Sequence, residues 1–175
     1  NGFDVGENSS IDFADFNGDG LIDALAVGTN GTINYYQNNG NQFSPLFIPK
    51  VGEENPFDGI TITDGVISIA DLNNDGMPDI VLGTTDGTIK YYQKNTNENT
   101  GSQSTPQFTP QIGADNPFNG IDVGDKSEPV LADINGDKLI DLVVHAQNQG
   151  IKYYQNTGSK ENPIFTEQTG SNNPF

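Results

Sequence analysis

Three stretches of this chain set carboxylates and an amide at alternate positions: DFNGDGLID from Asp15, DLNNDGMPD from Asp71 and DINGDKLID from Asp133. Hard oxygen ligands at this density repel one another unless a cation lies among them, and the cation they suit is calcium. In the first loop the candidate ligands are Asp15, Asn17, Asp19, the backbone carbonyl of Leu21, and Asp23. The second loop offers Asp71, Asn73, Asp75, the carbonyl of Met77, and Asp79; the third offers Asp133, Asn135, Asp137, the carbonyl of Leu139, and Asp141. Alternate residues converge on one point when a chain wraps tightly around an ion. A glycine at position six, Gly20 or Gly76, permits the sharp turn. Ile22, Met77 and Ile140, at position seven or eight, are the expected apolar anchors of the loops.

The third loop departs from this pattern with Lys138 at position six. If that position requires a positive φ, lysine costs on the order of 1 kcal/mol relative to glycine. Its ammonium also stands near the ion, so up to three Ca²⁺ are expected, the third bound more weakly. An EF-hand is excluded: it needs a bidentate Glu at position twelve between two helices. Position twelve here is Ala26, Leu82 or Val144, and the flanks are strand-like.

The elements that hold these loops repeat with them. The first motif aspartate recurs at spacings of 56 and 62 residues, and so does Tyr-Tyr-Gln, at 35–37, 91–93 and 153–155. The step from the last motif aspartate to the first tyrosine is 12 residues in every unit (Asp23 to Tyr35, Asp79 to Tyr91, Asp141 to Tyr153). Phe47, Phe108 and Phe165 each stand eight residues before Asn-Pro-Phe. Unit boundaries are placed at 1–57, 58–118 and 119–175, with a longer polar loop at 94–107 in the middle unit.

Each unit reads as four short strands: 9–14, 24–28, 32–37 and 43–51 in the first; 66–70, 80–83, 88–93 and 106–112 in the second; 128–132, 142–145, 150–155 and 163–169 in the third. β-Branched and aromatic residues fill these runs, Pro and Gly bracket them, and Asn30-Gly31 and Asp86-Gly87 favour tight hairpins. No window sustains a 3.6-residue apolar period, so essentially no helix is expected. The fold class is therefore all-β: three tandem four-stranded antiparallel sheets, propeller-blade-like. A unit this small must stack on neighbours to bury its faces, whether in an incomplete propeller or an open array.

Composition agrees with many short strands rather than one thick core. Of 175 residues 33% are hydrophobic, and the formal charge is −17. Nine of the 24 acidic residues lie in the three motifs, and three Ca²⁺ would bring the charge to −11. The remaining charge repels phosphate backbones, which argues against nucleic acid. Cysteine is absent, so disulfides play no part and calcium is the expected staple. No apolar run is long enough for a membrane span, and no signal peptide is visible. The chain opens on Asn-Gly and closes on Asn-Pro-Phe, as if cut at a repeat boundary, so it reads as a segment of a longer array or an assembling subunit.

FADFNGDGLIDALAVGTNGTINYYQNNG resembles the FG-GAP/VCBS repeat, the unit of integrin α-subunit propellers and of many large bacterial surface proteins. The likeness covers essentially the whole chain in three copies. It implies that the loop lies in the hairpin between the first two strands of a blade and holds Ca²⁺. It also implies an extracellular or cell-surface setting.

The remaining residues carry less. His145 is a lone strand histidine, read as packing or surface, and with no Cys and no nucleophile–base pair no catalytic constellation is visible. In each tyrosine pair one ring packs inward and its neighbour faces a partner blade or solvent. Exposed tyrosines would suit a lectin-like sugar platform. Asn8 and Asn30 begin glycosylation sequons. The leading reading is a non-enzymatic, calcium-binding extracellular module for structure or adhesion, in a surface or fibre-forming protein. Its expected partners are neighbouring repeats, copies of itself, and extracellular glycans or proteins. The alternatives are a lectin-like propeller and an accessory domain of a secreted enzyme.

Overall fold

The computed structural model describes residues 4–5, 9–28, 31–62, 65–94 and 108–175. They form three four-stranded sheets, each an antiparallel meander in chain order. The first sheet, or blade, holds β1 (Ser10–Ala14), β2 (Asp23–Val27), β3 (Ile33–Asn38) and β4 (Phe47–Lys50). The second holds β5 (Val66–Ala70), β6 (Asp79–Gly83), β7 (Ile89–Lys94) and β8 (Phe108–Gln111). The third holds β9 (Ser127–Ala132), β10 (Asp141–Ala146), β11 (Gly150–Asn156) and β12 (Phe165–Gln168). The all-β expectation holds, with one addition: a three-residue 3₁₀ turn follows β4, β8 and β12, at Gly52–Glu54, Gly113–Asp115 and Gly170–Asn172. Such a turn is too short to leave a helical period in the sequence.

Burial explains the strand types. β2 and β6 are buried along their full length, so both faces are apolar and the run is continuous: DALAV and DIVLG. β1 alternates between half-buried and exposed, as an edge strand with one covered face does. The first strands of successive blades lie side by side, β1 next to β5 and β5 next to β9.

The core lies between blades rather than within them. Leu25, Val27, Ile33 and Tyr35 of the first blade pack with Ile80 and Leu82 of the second, around Phe57 and Ile62 of the connection. Val81, Ile89 and Tyr91 of the second pack with Leu142, Val144 and Tyr154 of the third, around Phe118 and Val123. The Asn-Pro-Phe motif builds this wedge. Asn55 and Asn116 donate from Nδ2 to the carbonyls of Ile33 and Ile89, at 2.9 and 3.3 Å. Their Oδ1 atoms accept from the amides of Phe57 and Phe118, at 3.1 and 3.0 Å. Each ring then meets the outer strand of the next blade: Phe57 lies 4.6 Å from Phe108, and Phe118 stacks at 4.7 Å on Phe165.

The connection also pairs with the hairpin of the blade before it. The Val123 amide donates to the Gly87 carbonyl at 3.1 Å, and Thr88 bridges Asp122. Gly87 has φ 81°, and a Cβ there would run into the Gly124 backbone. Its hairpin therefore requires glycine twice over, for conformation and for approach. Asn8, Asn30 and positions 95–107 of the long loop lie outside the described residues.

Candidate metal centres

Each loop joins the first two strands of its blade, Ala14 to Asp23, Ala70 to Asp79 and Ala132 to Asp141. Within the first loop Asp15 Oδ1 accepts from the amides of Gly18 and Asp19, at 2.7 and 3.2 Å, and its Oδ2 accepts from Gly20 at 2.8 Å. Asn17 Oδ1 takes the Asp19 amide at 2.9 Å, and Asp19 Oδ1 takes the Leu21 amide at 2.8 Å. Asn17 also donates from Nδ2 to Asp19 Oδ2 at 2.9 Å. The third loop repeats the pattern, with Asp133 accepting from Gly136, Asp137 and Lys138 and Asn135 bonded to Asp137. The second does so through Asp71, Asn73, Asp75 and the Met77 amide. Positions one, three and five thus share one tight wrap in every loop.

Position nine is different. Asp23, Asp79 and Asp141 are fully buried, behind the wrap. The Tyr35 hydroxyl donates to Asp23 Oδ2 at 2.7 Å, and Tyr91 and Tyr153 do the same for Asp79 and Asp141 at 2.8 Å. The amides of Asn38, Lys94 and Asn156 donate to the other oxygen, at 2.8, 3.2 and 2.8 Å. A third donor comes from position two of the loop, the amide of Phe16, Leu72 or Ile134. Burial pushes Asp79 up to about 6; its three hydrogen bonds pull it down and the Asp75 carboxylate pushes it further up. Asp23 is raised for the same leading reason, with Asp19 as the repelling neighbour. Burial, and then the bonded aspartate, raise Tyr35 and Tyr91 well above the ordinary phenol, so each remains a donor. The tyrosine partner was not recognised from sequence. Its signal was the constant 12-residue step, there assigned only to the repeat.

Two further points differ from expectation. In the first two loops the apolar anchor is at position two, where Phe16 and Leu72 are buried while Ile22 is 52% exposed; in the third, Ile134 at that position is exposed. Met77 is only half-buried, and of the three proposed anchors Ile140 packs on a core cluster. Each loop also needs a left-handed residue at position four as well as six. The pairs are Gly18 and Gly20 (φ 78° and 84°), Asn74 and Gly76 (57° and 84°), and Gly136 and Lys138 (80° and 71°). Only the first loop has glycine at both.

Among the described residues no three His, Cys, Asp or Glu side chains converge as a ready metal cluster. The wrap carboxylates are turned to backbone N–H groups instead. A carboxylate has about four lone-pair sites, so these bonds leave acceptor capacity for a cation. The donors are all hard oxygens, a set that fits calcium and gives soft metals nothing. The ion pairs among the described residues are Lys50–Glu54 and His145–Glu128, and neither involves a motif aspartate. Lys94 is lowered by burial and feels Asp15, Asp75, Asp23 and Asp79 only at longer range. Lys138 and Lys160 line a cleft of about 180 Å³ with Asp71 and Asn74, so the Lys138 charge bears on the second loop as well as its own.

A family model described as FG-GAP-like repeat matches residues 15–82 and 71–126, each match opening on the first aspartate of a loop. The chain belongs to the FG-GAP-like repeat family. The matches cover well over half of it, and the third blade repeats the same sheet and loop beyond them. No curated protein matches the chain. FG-GAP-like repeats are modules of surface and extracellular proteins and are structural rather than catalytic as a rule. Among the described residues no helix is long and apolar enough to cross a membrane.

The tyrosines do not form a sugar platform. Tyr35, Tyr36, Tyr91, Tyr153 and Tyr154 are buried and Tyr92 is half-buried. Tyr92 and Tyr154 pack into the clusters shared with the preceding blade, and Tyr36 packs with Ala24, Ala26, Phe47 and Val5. His145 is exposed and pairs with Glu128 at 3.1 Å, a surface contact.

Proposed function

We propose that this FG-GAP-like chain is a calcium-stabilised structural and adhesive module of an extracellular surface or fibre, without catalysis of its own. The observation that carries this reading is the threefold loop. Each copy sets hard-oxygen side chains at positions one, three and five of one tight backbone wrap, with a buried aspartate held behind them by a tyrosine hydroxyl. No described lysine or histidine forms an ion pair with these carboxylates. A divalent cation in each loop relieves the repulsion and ties the first two strands of the blade together. Asp15, Asn17, Asp19, the Leu21 carbonyl and Asp23 would hold the first ion, with the matching sets at Asp71 to Asp79 and Asp133 to Asp141.

With free calcium about 100-fold above Kd, one site adds about 2.7 kcal/mol. Three such sites rival the roughly 5–15 kcal/mol net stability of a domain. Thermal melting with and without chelator tests the reading, with equilibrium dialysis giving the stoichiometry. Calcium is expected to raise Tm strongly and to bind at up to three equivalents. A Tm indifferent to chelation would overturn it. Immobilised glycans are expected to bind weakly or not at all, since the tyrosines are covered.

A further inference from the structure

An asparagine before a glycine is a chemically weak step in any chain. The glycine nitrogen can attack the asparagine Cγ, because no Cβ on the following residue shields it and the glycine backbone turns freely. The new N–Cγ bond closes a succinimide ring, and the side-chain amide leaves as ammonia with the proton taken from the attacking nitrogen. Water then opens the ring at either carbonyl. One opening gives aspartate; the other gives isoaspartate, with the main chain rerouted through Cγ. The attack needs a nitrogen free to lose its proton and a backbone free to rotate, so a hydrogen bond from the glycine amide opposes it.

Among the described residues asparagine precedes glycine at Asn17, Asn39, Asn119 and Asn135. Three of the four glycine amides are held. Gly18 donates to Asp15 Oδ1 and Gly136 to Asp133 Oδ1, both at 2.7 Å, and Gly40 donates to Asn38 Oδ1 at 3.0 Å. Aspartate–glycine steps in the loops and the hairpin are tied likewise: Gly20 to Asp15, Gly76 to Asp71 and Gly87 to the Thr84 carbonyl. Gly120 is the exception, since no hydrogen bond from its amide is found among the described residues. Asn119 and Gly120 are both exposed, and they line an open cleft of about 490 Å³ through which water reaches them. Gly59 in the first connection shares this freedom, but Asp58 before it offers a carboxylate, a far poorer target for a nucleophile than an amide.

We propose that Asn119 is a site of spontaneous deamidation, and that isoaspartate formed there loosens the junction between the second and third blades. Asn119 sits in the turn that seats the wedge. Its amide donates to the Asn116 carbonyl and the Ile121 amide to the Phe118 carbonyl, both at 3.0 Å. On either side stand Phe118, 1% exposed, and Val123, fully buried and paired with Gly87. Isoaspartate inserts one extra backbone carbon between those two turn bonds and so breaks the register that delivers both side chains to the core. Aspartate leaves the backbone as it was. It already stands at the equivalent position of the first connection, where Asp58 donates to Asn55 and Ile60 to Phe57 at the same 3.0 Å. One product is therefore tolerated and the other disruptive. The inference concerns a connection and not the metal loops, so it does not rest on the calcium reading.

Peptide mapping by mass spectrometry tests the proposal on the 175-residue chain, aged at mildly alkaline pH in calcium buffer and, in parallel, in concentrated urea. In the folded chain Asn119 is expected to convert about tenfold faster than Asn17, Asn39 and Asn135, the scale of one amide hydrogen bond. Its products are expected to be a mixture of aspartate and isoaspartate. In urea the four sites are expected to react at similar rates, because the bonds that separate them are gone. Asn119→Asp is expected to melt as wild type does, and the separated isoaspartyl species at a lower temperature. An Asn119 that reacts no faster than the other three in the folded chain, or a lead that persists unchanged in urea, would overturn the site. An isoaspartyl species no less stable than Asn119→Asp would overturn its effect on the junction.

Discussion

The hydroxyl of Tyr35 donates to Asp23 Oδ2 at 2.7 Å across two strands of one blade, and the bond recurs at Tyr91–Asp79 and Tyr153–Asp141. It ties the back of each loop to the third strand, so the loop is braced by the sheet rather than by its own turn alone. Replacing Tyr35 or Tyr91 with Phe removes one of three donors from a fully buried carboxylate. The expected loss is about 1–3 kcal/mol, the usual cost of an unmatched buried polar group. Urea unfolding of Tyr91→Phe checks it. A change within error would show that water or another donor replaces the hydroxyl.

Lys138 and Asn74 hold left-handed backbone where the first loop has glycine. Lys138→Gly is expected to gain about 1 kcal/mol of stability and to tighten calcium at the third loop. Asn74→Gly should gain less, since asparagine tolerates this region better than other side chains. Calorimetric titration of loop variants, each keeping a single intact motif, reads the affinities. Equal affinity for the first and third loops would refute the strain argument.

The hairpin at Asp86 gives a pH signature. Hydroxyls of Thr84 and Thr88 and the Thr88 amide hold this carboxylate at about 2, below its ordinary 3.8. A depressed folded value means the ionised form favours the fold. Its contribution is full above 3.8 and is lost as pH falls through 2. Asp86→Asn should therefore lower stability near neutrality and flatten the acid limb of a stability-versus-pH curve between those values, so that the two proteins converge as pH falls through 2. An unchanged acid limb would rule this out.

Phe118 and Phe175 occupy one position in successive repeats with opposite burial. Phe118→Ala should cost about 3–5 kcal/mol, as a large-to-small change in a packed core does. Phe175→Ala, at a ring 61% exposed, should stay within about 0.5 kcal/mol in this chain. Similar losses at both sites would show that Phe175 packs as Phe118 does despite its exposure.

Much of this protein was legible in the chain. Strand runs, hairpin glycines and loop ligands depend on local pattern, which is why β1 to β12 fall on the apolar runs of the sequence. The EF-hand was excludable for the same reason, from position twelve alone. What lay beyond local pattern was every choice of face. Ile22 and Phe16 are both apolar and both near the loop, and only the packing of one blade on the next decides that Phe16 is the anchor. The 12-residue step from Asp23 to Tyr35 was visible, but the bond it encodes exists only once β2 and β3 pair in register. The burial of the tyrosines, and with it the loss of a sugar platform, was likewise decided by tertiary packing. Identical motifs also part company in the third blade, where Phe175 and Ile151 repeat the residues of the first two blades without their burial. A repeat specifies its own strands and loops through short-range sequence, whereas burial depends on which surface of the next sheet arrives against it.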